Sequence, residues 1–160
     1  MEEHAITRID ELLKIEEYNI YLYTNIKSEK LSELAKYLSE DNIDLSNYFS
    51  LTKFSTKFCW NNIVFIIKEM EYPHRLRGLP YLFALLKDIN WPVFQEAEAV
   101  IISFNKKDII PFMEECLHQA YLQKDGMWIS GINIVAQGMD IQPSDFKNEE
   151  TFGLFQRGDF

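Results

Sequence analysis

Apolar residues recur at helical spacing along most of the chain. Ile6, Ile9, Leu12 and Leu13 mark a first stripe. Leu31, Leu34, Ala35 and Leu38 follow the i, i+3, i+4, i+7 rule, behind a Ser28 suited to cap a helix start. Leu79, Leu82, Phe83 and Leu86 repeat the pattern after Gly78. Trp91, Phe94, Ala97, Ile101 and Phe104 form another stripe, with Asn90 at its N-cap and Pro92 in the first turn, where a missing N–H costs nothing. Ile109, Met113, Cys116, Leu117 and Ala120 come next, behind an Asn105 cap with Asp108 three residues on, a capping box with Asp in place of Glu. The last stripe is Trp128, Ile132, Val135 and Met139, bounded by Gly126 and Gly138.

Strands have little support, because the β-permissive runs 19–22 and 63–67 are too short to outweigh their helical surroundings. The pattern predicts an all-α fold: a single compact domain over 1–160, of about seven helices. An internal echo refines this. Leu79-Pro80-Tyr81-Leu82 aligns with Ile110-Pro111-Phe112-Met113 at an offset of 31, and Leu86 then falls on Leu117. Each copy should open a helix, and each is followed by a second helix starting near a Trp, Trp91 or Trp128. That is the signature of stacked helix pairs, HEAT-like, in the central and C-terminal part. Residues 142–160 lose the periodicity yet keep Phe146, Phe152, Phe155 and Phe160, which predicts an irregular segment packed on the body.

Composition narrows the class. At 160 residues, with 47% hydrophobic and 26% charged side chains, the chain can bury a core without a disulfide or metal staple. The 25 acids outweigh 16 bases, for a net charge of −9, which disfavours nucleic acid and anionic membrane surfaces. The charge is uneven: residues 1–50 carry 11 acids and 5 bases, 51–110 carry 6 and 8, and 111–160 carry 8 and 3. Cys59 and Cys116 are flanked by apolar residues and read as buried thiols. The N-terminus lacks the basic and apolar regions of a signal peptide, and no apolar run reaches a membrane span, so a cytoplasmic setting is expected.

Candidate chemistry is sparse. Glu115 and His118 share an i, i+3 spacing, but one such pair cannot fill a metal shell. Glu71 and His74 have the same spacing with Pro73 between them, which rules out a common helical face. No nucleophile elbow, phosphate loop or zinc-protease motif occurs, so no cofactor and no catalytic residue is expected. Paired acids such as Glu2/Glu3, Glu16/Glu17, Glu40/Asp41 and Glu114/Glu115 read as solvated faces, and Arg157-Gly158-Asp159 as a chance adhesion tripeptide.

The remaining motif is LLKDINWPV at 85–93, a helix end, a turn and a restart in which Asp88 and Asn90 bond nearby backbone N–H groups and Trp91 anchors the corner as a buried side chain. Asp88, Asn90, Trp91, Pro92 and Val93 also resemble the D-x-N-W-P-V hallmark of a bacterial family of small helical proteins without established activity. The similarity extends over residues 60–140, through Ile109-Ile110-Pro111 and Asp125-Gly126-Met127-Trp128. It implies a HEAT-repeat-like fold. The chain departs from the family pattern at Phe83-Ala84, where a Trp is common, and at Ile129-Ser130, where a Lys and an aromatic are common.

Together these features predict a non-catalytic protein-binding module. Its sharpest form is an immunity protein neutralising a basic bacterial toxin, and the alternatives are a helical-repeat scaffold with another partner, or an enzyme or metal binder using Glu115 and His118. The partner-binding residues expected on the acidic N-terminal part are Glu40, Asp41 and Asp44, where the helix ending near Leu38 gives way to a loop.

Overall fold

The helical stripes become helices, and their ends are set by local chemistry. The computed structural model describes residues 2–159, with side chains from His4 onward. Phe160, and the side chains of Glu2 and Glu3, lie outside the described residues. The α-helices are α1 (Glu2–Leu13), α2 (Ser28–Leu38), α3 (Ser46–Phe49), α4 (Asn61–Glu69), α5 (Leu79–Ala84), α6 (Phe94–Ile102), α7 (Lys106–Leu122), α8 (Gly126–Gly138) and α9 (Glu149–Phe152). Among the described residues these are nine against the expected seven or so, because α3 and α9 are single turns of 4 residues. Short 3-10 turns stand in some of the connections and after α9, and among the described residues there is no strand. No described helix is long and apolar enough to cross a membrane. The chain divides into two compact units, Met1–Tyr81 and Leu82–Phe160.

In the first unit α2 packs on α1 and on α4. It buries the expected Leu31, Leu34, Ala35 and Leu38. Ser28 is the first helical residue and not the cap; Lys27 holds that position in an extended conformation. α1 buries the expected Ile9 and Leu12 but takes Ala5 in place of Ile6, which is exposed, and leaves Leu13 half-buried. α4 is apolar nearly all round, burying Ile63, Val64, Ile66 and Ile67. Its buried Asn62 donates from Nδ2 to the carbonyls of Ile20 and Tyr23 at 2.9 and 2.8 Å. Those two bonds tie down the segment before α2, which has no regular ladder of its own.

In the second unit α8 packs on α6 and α7. α7 buries the whole predicted set of Ile109, Met113, Cys116, Leu117 and Ala120. Pro111 sits inside α7, so the second copy of the sequence echo does not open a helix as the first does. Tyr81 and Phe112 hold equivalent places in the echo, and Phe112 meets Phe83 edge-on at 5.1 Å. The C-terminal segment is less irregular than expected: it winds through a 3-10 turn, α9 and a second 3-10 turn. Phe146, Phe152 and Phe155 form one aromatic cluster with centroids 5.1 to 6.4 Å apart. Glu114 of α7 fixes this segment by accepting the backbone N–H groups of Lys147 and Asn148.

Candidate functional site

The acidic residues singled out in the loop after α2 do not act alone. Glu40 and Asp41 line a surface cleft of about 590 Å³ within the first unit, together with Glu69 and Glu71 from the end of α4 and the residues just beyond it. Four carboxylates thus share a concave surface with one lysine, Lys36, and one histidine, His74. Asp41 lies 3.8 Å from Nδ1 of His74, and Ser32 of α2 donates to Glu69 Oε2 at 3.0 Å. Asp44, the third expected residue, is not part of the lining. Its Oδ1 accepts from both the hydroxyl and the backbone N–H of Ser46, which opens α3 and holds the Asp44 carboxyl below its ordinary pKa.

The walls of the cleft are set by one short turn, His74–Gly78, that follows a cis Tyr72–Pro73 bond. Arg77 reaches one wall. Its guanidinium donates to the carbonyls of Leu38, Glu40 and Ile43 at 3.1 to 3.2 Å, where α2 ends and the acidic loop begins. Arg75 reaches the other wall, donating from Nε to the Met70 carbonyl and from Nη2 to the Lys68 carbonyl, both at 2.7 Å. The last carbonyls of a helix have no intrahelical donor and carry the negative end of the dipole, so a guanidinium is a fitting partner for each. Gly78 completes the turn by close approach: a Cβ there would lie 2.6 Å from Ile67 of α4.

Sequence reasoning missed Glu69 and weighed Glu71 only as a metal-ligand partner of His74, not as part of an acidic cleft. Both glutamates belong to the stretch 51–110, whose bases outnumber its acids, so its average charge hid them. The usable signal was local: two arginines two residues apart, directly after a helix and a proline.

Of the other sequence-derived candidates, Glu71 and His74 both line this cleft. Glu115 and His118 are both exposed on α7. Among the described residues, no group of three or more His, Cys, Asp or Glu side chains is arranged to hold a metal ion. In the 85–93 motif, Asp88 Oδ1 accepts the Asn90 backbone N–H at 2.8 Å, the expected turn. Asn90 does not cap α6, which starts only at Phe94, and Pro92 is exposed before it. Trp91 is half-buried where a buried corner was expected. The buried anchor of the second unit is Trp128: its indole N–H donates to the Phe83 carbonyl at 2.9 Å, and Asp125 caps its backbone N–H. Cys59 and Cys116 are free and buried. Asp159 of the Arg-Gly-Asp tripeptide is tied to α8, its carbonyl accepting from Ser130 Oγ at 2.6 Å and its N–H donating to Gly126. No family model, curated protein or solved structure matches the chain.

Proposed function

We propose that the chain is a non-catalytic protein-binding module whose acidic cleft receives a basic segment of another protein. The observation that carries this reading is the convergence of Glu40, Asp41, Glu69 and Glu71 on one cleft with both walls pinned by arginines. A concave surface in which four carboxylates outnumber a single lysine focuses its field and raises the encounter rate of an oppositely charged partner. Walls that are already ordered spare the complex part of the entropy cost of binding. The sharpest case is an immunity protein that neutralises a basic bacterial toxin. A helical scaffold serving another basic partner would use the same cleft. Packing of α8 on α6 and α7 supports a HEAT-like reading of the helix pairs, as does the family resemblance centred on Asp88 and Trp91.

The test compares the wild-type chain with a Glu40→Lys, Asp41→Lys variant as baits in the native host. The variant should lose the specific partner. With that partner in stopped-flow, it should associate at least ~10-fold more slowly at low salt. The difference should vanish as the Debye length shrinks to ~3 Å near 1 M salt. Asp44→Lys, outside the cleft, should associate close to the wild-type rate. Equal recovery by both baits, or an unchanged association rate, would refute the reading.

A further inference from the structure

The acidic cleft is one end of a longer groove. Large exposed apolar side chains scattered singly are ordinary on a protein surface, but their convergence on one concavity is not. Leu22, Tyr23 and Phe58 are 57, 43 and 60% exposed, and all three line a second concavity of about 900 Å³ in the first unit. A third, smaller hollow lies over α2 and α4, lined by Leu31 and the exposed Phe65. It shares Ile26 with the second concavity and Glu69 with the acidic cleft. The three therefore form one surface along the α2–α4 seam, acidic at one end and, at the other, carrying Leu22, Tyr23 and Phe58 beside the opposed charges of Glu16, Glu17, Lys27 and Lys30. α2 has 11 residues, so the seam is about 16 Å long, three turns of a helix.

We infer that this seam docks a single amphipathic segment of the partner, with apolar anchors seated among Leu22, Tyr23 and Phe58 and lysines or arginines seated among Glu40, Asp41, Glu69 and Glu71. The inference rests on the binding reading above and adds the chemistry and polarity of the bound segment. Charge complementarity selects the occupant at the acidic end, and continuity of the groove carries the same segment to the end that holds Leu22, Tyr23 and Phe58. Such a segment uses the groove as amphipathic helices use hydrophobic grooves elsewhere, with the charged end setting its direction.

Two labelled synthetic peptides of ~11 residues, the length of the seam, separate this inference from the reading beneath it. One carries Leu and Trp in one half and Lys in the other; the second replaces its apolar residues by Ser. Fluorescence anisotropy should show the first binding at least ~10-fold more tightly, from burial of two apolar anchors. A Leu22→Ser, Phe58→Ser variant should abolish that advantage and leave the Ser-containing peptide unaffected. Both changes are at exposed positions, and circular dichroism confirms that the variant folds. Glu40→Lys with Asp41→Lys should weaken both peptides. Equal affinity of the two peptides for the wild type would overturn the inference while leaving the acidic-cleft reading intact. Binding by neither peptide would overturn both. A dimer by sedimentation that blocks the apolar-basic peptide and dissolves in the Leu22→Ser, Phe58→Ser variant would overturn the inference in favour of a second copy of the chain in the groove.

Discussion

Gly131 lies within α8, where a glycine normally weakens a helix, and replacing it by alanine tests the packing of the second unit by sign alone. Helix propensity predicts a gain of about 1 kcal/mol for Gly131→Ala. The structure predicts the reverse. A Cβ at this position would lie 2.0 Å from the carbonyl oxygen of Leu86. Carbon and carbonyl oxygen normally approach no closer than about 3.3 Å, so α8 and the turn after α5 would have to separate by more than an ångström. That turn cannot yield cheaply, because the Leu85 and Leu86 side chains are both fully buried. Overpacking of this kind costs ~1–3 kcal/mol and occasionally more. With a backbone atom as the obstacle we expect the upper end, for a net loss of about 2 kcal/mol after the propensity gain. In thermal melts this corresponds to a drop of roughly 4–8 °C for a chain of this size. Gly138→Ala is the control: the clash there is with Ile102 Cδ1, the tip of a flexible side chain, at 2.7 Å. It should fall within about 0.5 kcal/mol of wild type, like most changes away from constrained sites. A Gly131→Ala variant as stable as wild type, or more so, would refute the close approach of α8 to Leu86.

Trp128→Phe should cost ~1–3 kcal/mol in urea melts by leaving the buried Phe83 carbonyl without its donor, and Trp91→Phe should cost less because Trp91 is half-buried. Arg77→Met should cost about 2 kcal/mol through three lost charge-assisted bonds, and hydrogen exchange should quicken in the loop at 39–43. Asp44 and Asp145 are both held below the ordinary carboxylate pKa, Asp44 first by the Ser46 hydroxyl and Asp145 first by the Gln142 backbone N–H. A lowered folded-state value stabilises above the unfolded value of about 3.9 and is lost as pH falls through the folded one. Asp44→Asn with Asp145→Asn should therefore lower the urea midpoint at pH 7 and flatten its decline at about pH 4 and below.

Where burial alone decides structure, the sequence was readable. The stripes of α2 and α7 name the residues those helices bury, because an amphipathic helix has one solution for its apolar face. Readings that depended on capping were mixed, since Asn105 does stand at the N-cap of α7. Ser28 and Asn90 have the chemistry of caps, yet the chain enters α2 at Lys27 and delays α6 to Phe94, since tertiary packing outweighs a cap worth about 1 kcal/mol. Trp91 and Trp128 look alike in sequence; only the fold decides which of them meets the Phe83 carbonyl. The acidic cleft was half legible for a related reason. Glu40 and Asp41 stand out in an acidic stretch, but Glu69 and Glu71 join them only through the packing of α2 on α4 and the reach of Arg75 and Arg77.

The two cysteines give the molecule a pair of internal clocks. Cys59 belongs to the first compact unit and Cys116 to the second, and each is buried with no disulfide. Burial pushes the Cys116 thiol up to about 12, so its nucleophilic thiolate scarcely exists in the folded state at neutral pH. A thiol reagent can therefore act on Cys116 only when the surrounding helices part, and its rate counts those openings. Cys59 is 1% exposed at the floor of the second concavity, so its rate counts local openings of the other unit. With either cysteine replaced by serine, the remaining one times a single unit, and the frequencies of the two openings become separately measurable with a thiol reagent and no engineered label site.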